Sequence, residues 1–146
     1  MDKNIVVGAQ NNRFNGCVWA DVEKHIVSLI KRRSNLIVFD VKGETFNFKT
    51  GEFNSRIERF NAENPSLPPM DLYSILLHTI RHAETFTLDE DRFDVHAGVI
   101  AVYGKCPAFR YGSFRSEGTM YAKFWIQDNV FKKPRIIVAL HDDKFK

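Results

Sequence analysis

Between Gly104 and Thr119 the chain reads Gly-Lys-Cys-Pro-Ala-Phe-Arg-Tyr-Gly-Ser-Phe-Arg-Ser-Glu-Gly-Thr, its densest run of residues able to do chemistry. Arg110 and Arg115 supply two planar cations whose donor forks match the oxygens of a phosphate. Lys105, Lys123, Lys132 and Lys133 extend the positive charge on either side, and Phe109 and Phe114 are rings that can stack on bases. Glu117 is a candidate general base and His96, on a neighbouring strand, its acid partner, with Tyr111 and Ser113 assisting. A base, an acid and cations to hold developing charge form the minimal kit for metal-free phosphodiester cleavage. The same residue types also suit a wide turn whose arginines are salt-bridged and whose aromatics anchor it to the domain. Connections longer than about 12 residues inside a compact domain tend to be functional, unless the flanking strands extend into them.

Two other constellations have spacings that suit chemistry. Asp71, His78 and His82 fall in a narrow sector of one helical face, and His-x3-His is a metal-ligand spacing. Arg81 beside them argues against a cation there, so no metal is expected. Asp40-Val41-Lys42 at the end of an apolar run has the acid-x-Lys form of a magnesium-dependent nuclease. Its second carboxylate would have to come from Asp21 or Glu23, at the start of a helix, so a hairpin flank is the simpler reading. No dinucleotide-binding, Walker, nucleophile-elbow or zinc-protease motif occurs, and no cofactor is expected. Cys17 and Cys106 lack the spacing of a redox pair. With no secretory signal in the opening residues, the expectation is free thiols in a cytoplasmic protein.

The elements that must position these groups follow from periodicity. Ile5-Val6-Val7 reads as a strand and 10–16 as a polar loop. Val18, Val22, Ile26 and Leu29/Ile30 predict a helix over 17–33 that Asn35 breaks, with Lys31, Arg32 and Arg33 compensating its dipole. Leu36–Phe39 and Thr45–Lys49 predict a hairpin about Lys42-Gly43-Glu44. Phe53, Ile57 and Phe60 predict a short helix over 53–61; after the prolines at 65, 68 and 69, another covers 70–83. Thr85–Arg92 reads as a loop. Strands over 95–103, 119–126 and 135–140 complete the chain.

Helices cluster early and strands late, which predicts α+β. The expected form is one domain over 1–146, with an antiparallel or mixed sheet of five to six strands. Two or three helices would pack mainly on one face, and a three-strand meander would close the sheet. A chain of 146 residues with 44% apolar and 27% charged residues is an ordinary globular composition. It excludes collagen, coiled coil and wholesale disorder, and its apolar runs are too short for a membrane span.

The formal charge of +3 is too small to diagnose a polyanion partner. Its distribution says more: seven bases and two acids lie between Lys105 and Arg135, and five acids and one base between Glu84 and Asp94. The leading expectation is recognition of an anion, nucleic acid or nucleotide, through the basic loop, with or without cleavage. The alternative is a non-catalytic protein-binding module, such as an inhibitor, whose acidic and basic segments would be complementary patches for a partner protein.

Overall fold

The computed structural model describes residues 3–6, 14, 16–42, 50–83, 85–89, 100–106, 110–111, 114–115, 119–129 and 132–143. In chain order the elements are α1 (Trp19–Lys31), β1 (Ile37–Phe39), α2 (Glu52–Glu63), α3 (Leu72–His82) and β2 (Thr85–Asp89). Then come β3 (Ile100–Cys106), β4 (Arg110–Tyr111), β5 (Phe114–Arg115), β6 (Thr119–Asn129) and β7 (Lys132–Asp143). The architecture is α+β, with three helices among the described residues. No helix among those residues is long and apolar enough to cross a membrane.

Strand alternation places Ala122, Phe124 and Ile126 of β6 opposite Leu140, Val138 and Ile136 of β7. All six belong to one buried cluster, which the helices complete with Trp19, Val22, Ile26, Leu29 and Ile30 from α1, Phe53 and Phe60 from α2, and Ile75, Leu76 and Ile80 from α3. β1 joins β7 in parallel, Ile37 against Ile136 and Phe39 against Val138. Thr50 is fully buried just before α2, and its hydroxyl accepts the Leu140 N–H at 2.8 Å. That bond ties the approach to α2 to the centre of β7.

The sheet departs from the expected one, and the five- to six-strand prediction is corrected. Among the described residues the fully buried strand side chains come from three strands, β1, β7 and β6, with Phe86 of β2 partly buried against them. Backbone pairing continues antiparallel from β6 to β3 and from β3 to β2. Among the described residues Ile5 and Val6 form no strand of this sheet, and Val6 makes one bridge, to Val18. Its carbonyls have another use. Val18 offers α1 no side-chain cap, and the orphan N–H groups of Trp19 and Ala20 donate instead to Ile5 (2.8 Å) and Lys3 (3.0 Å). A 2.6 Å ion pair between Lys3 and Glu23 pins the same segment.

A further correction concerns 85–89, and the hairpin expected over 36–49 falls partly outside the described residues. β1 pairs in parallel with a strand about a hundred positions later rather than opening a described hairpin; Thr45–Lys49 lies outside the described residues. Thr85–Asp89, expected as loop, is strand β2 because Phe86 stacks on Trp19, with centroids 5.6 Å apart at 23°. Of the strand expected over 95–103, the described part begins at Ile100.

The helix ends differ from expectation for local reasons. α1 stops at Arg32, before Asn35, in a Schellman turn. Arg33 N–H donates to Ile30 O (3.0 Å) and Ser34 N–H to Leu29 O (3.0 Å), with Arg33 in the left-handed region at φ 50°. α3 starts at Leu72, two residues after the expected position, because Asp71 is its N-cap and accepts the Ser74 N–H at 2.8 Å. Between α2 and α3, Asn61 holds Met70 from both sides, its amide donating to Met70 O (3.0 Å) and its carbonyl accepting Met70 N–H (2.8 Å).

Candidate functional site

The long connection after β3 is shorter than its sequence implied. β3 runs through Lys105 to Cys106 with an irregularity after Tyr103, and β4 and β5 then form a two-stranded ladder of their own. In its register Arg110 stands directly opposite Arg115, and Tyr111 directly opposite Phe114. The intervening Gly112-Ser113 has the sequence of a two-residue hairpin loop. β5 comes within 8 Å of α2 between Cα positions.

The other expected site residues divide into three groups. Lys105 stands on β3 and Lys132 and Lys133 on β7. Lys123 is only 6% exposed, near the middle of β6, where its ladder neighbours are Val102 and Ala139. Its charge therefore sits inside the domain and cannot reach a polymer backbone running over the surface. Glu117, His96, Ser113 and Phe109 lie outside the described residues.

Asp71 has a different employment from metal binding. One carboxylate oxygen accepts Arg33 Nε at 2.7 Å; the other takes both the Ser74 N–H and the Ser74 hydroxyl at 2.8 Å. Arg33 Nη2 also donates to Ser74 Oγ at 3.2 Å. Partial burial pushes the Asp71 carboxyl up, but the Arg33 and Ser74 hydrogen bonds and the Arg33 charge outweigh it and hold the group below the usual carboxylate range. The same hydrogen bond and charge raise the Arg33 guanidinium above its ordinary value. The clamp joins the αL residue ending α1 to the residue opening α3.

His78 and His82 do share a face, with rings 4.4 Å apart at 37°. They face α1, across a cleft of about 290 Å³ whose lining includes Ile30, Lys31, Leu77 and Arg81. Among the described residues no group of three histidine, cysteine or carboxylate side chains is placed to hold a metal. Asp40 follows β1, and its N–H donates to Val138 O at 2.8 Å. The carboxylates that would have to join it do not: Asp21 is exposed on α1, and Glu23 is paired with Lys3. Cys17 is a free thiol in the turn before α1.

Sequence reading missed both the Arg33–Asp71 clamp and the α1–α3 cleft. Asp71-Leu72-Tyr73-Ser74 after two prolines was a legible capping signal. The partnership with Arg33, 38 residues away, had no local signature. Compared with family models, curated proteins and solved structures, the chain matches none of them.

Proposed function

We propose that the protein recognises an anionic ligand, a nucleic acid or nucleotide, through the β4–β5 hairpin. The supporting observation is the register that sets Arg110 directly against Arg115. Like charges at directly opposed ladder positions destabilise a hairpin. A two-stranded ribbon has little else to hold it, so the pairing makes sense where an anion is to be bound between the two guanidinium groups. The adjacent rung, Tyr111 with Phe114, falls by strand alternation on the other face of the ribbon, so the arginine pair alone carries this reading.

The test is retention of a single-stranded oligonucleotide as salt is raised. Affinity should fall with salt, and Arg110→Ala/Arg115→Ala should reduce the log–log slope by about 1–2, since each lost phosphate contact on a single strand contributes about 0.7. An unchanged slope in that variant overturns the hairpin assignment. No binding at low salt favours the protein-binding module instead. Incubating the same oligonucleotide with protein in the presence of a chelator tests the extension to cleavage. Products that disappear in Glu117→Gln and His96→Ala would establish it, and an intact oligonucleotide would limit the activity to binding.

A further inference from the structure

A cleft lies between α1 and α3, apart from the hairpin. We infer that it binds a small phosphomonoester carrying one ring-sized apolar group. Three cationic side chains line it, Lys31, Arg33 and Arg81, along with the imidazoles of His78 and His82, and among the described residues no carboxylate does. Arg33 is committed to Asp71 and closes one end. Lys31 and Arg81 are exposed, and neither forms an ion pair among the described residues. Two adjacent, uncompensated cations repel each other, and an anion between them removes that repulsion.

The choice of anion follows from charge and space. Two full cations with imidazoles beside them balance a dianionic phosphate group better than a single carboxylate. Half-buried Leu77 and Tyr73 give the cleft an apolar floor against which a ring can lie. Its volume of about 290 Å³ is at the small end of ligand sites, enough for one ring and its phosphate and too little for a dinucleotide. The carbonyl end of α1 would by itself repel an anion. Here the Leu29 and Ile30 carbonyls are occupied by the N–H groups of Ser34 and Arg33, which weakens that opposition.

Calorimetric titration of the full chain with phenyl phosphate, inorganic phosphate and phenol tests the assignment. Phenyl phosphate should bind saturably and at least about tenfold more tightly than either fragment, because only it uses both the cations and the floor. Lys31→Ala/Arg81→Ala, at two exposed positions, should weaken phenyl phosphate at least about tenfold while leaving the circular dichroism spectrum unchanged. Arg110→Ala/Arg115→Ala should leave phenyl phosphate affinity unchanged, which separates this site from the hairpin. Absence of saturable binding, equal affinity in the Lys31/Arg81 variant, or loss of binding in the hairpin variant each overturns the proposal.

Discussion

Replacing Asp71 separates the two interactions that its carboxylate makes. As the N-cap of α3 it accepts the Ser74 N–H at 2.8 Å, and losing such a cap costs about 1 kcal/mol. As the partner of Arg33 it makes an ion pair whose side chains are 50% and 37% exposed, so solvent screening keeps that contribution near 0.5 kcal/mol, in the range of about 0.2–1 for exposed pairs. Asp71→Ala should therefore destabilise by about 1.5 kcal/mol, or roughly 3–6 °C in Tm for a chain of this size. Asp71→Asn keeps a capping oxygen and loses only the charge, at about 0.5 kcal/mol. A double-mutant cycle of Asp71→Asn with Arg33→Ala should recover a coupling of the same size. The pH dependence has a definite sign. The carboxyl titrates below its ordinary value when folded, so its contribution is complete above the unfolded value near 4 and disappears as pH falls through the lower folded value. The gap between the parent protein and Asp71→Asn should thus be present at neutral pH and vanish in strong acid. Urea unfolding at both pH values measures it. The reasoning is refuted if Asn costs as much as Ala, or if the gap persists once the carboxyl is protonated.

Three further outcomes follow from the packing. Arg33→Gly should be more stable than Arg33→Ala by about 1 kcal/mol, because both lose the Asp71 pair and only glycine relieves the left-handed backbone at φ 50°; thermal unfolding of the two variants decides. Thr50→Val keeps shape but removes the acceptor of the buried Leu140 N–H, and should cost about 1–3 kcal/mol in chemical denaturation. Asn61→Leu strips both backbone bonds from Met70 and should accelerate hydrogen exchange at the Met70 amide.

How much was legible depended on how local the cause was. Phe53, Ile57 and Phe60 marked α2 because their spacing is itself the helix period. Met120 to Ile126 marked β6 by alternation, although both of its faces are buried from Ala122 to Ile126. Asn35 was a reasonable stop for α1, yet Arg33 ends it earlier in a conformation usually left to glycine, and the clamp to Asp71 that holds it there spans two helices. Ile5-Val6-Val7 had the composition of a strand. It could not reveal that α1 lacks a side-chain cap and borrows the carbonyls of Lys3 and Ile5. Thr85–Asp89 looked like loop because Phe86 and Leu88 are its only large apolar residues; the stacking partner, Trp19, is far away in sequence. Within the candidate site, the residue types of the hairpin were visible. The register opposing Arg110 to Arg115 is a pairing that residue types alone do not announce. Lys123 went astray because a lysine in an alternating strand is read as outward-facing, and here the second face of the sheet is covered too.

The parallel contact of Ile37 with Ile136 also governs when this molecule can fold. A ribosome would release α1, β1, α2 and α3 well before it reached the strand on which they close. Until Ile136 to Leu140 emerge, the apolar sides of those helices lack the strand on which they close, so the nascent chain carries uncovered apolar surface for most of its synthesis.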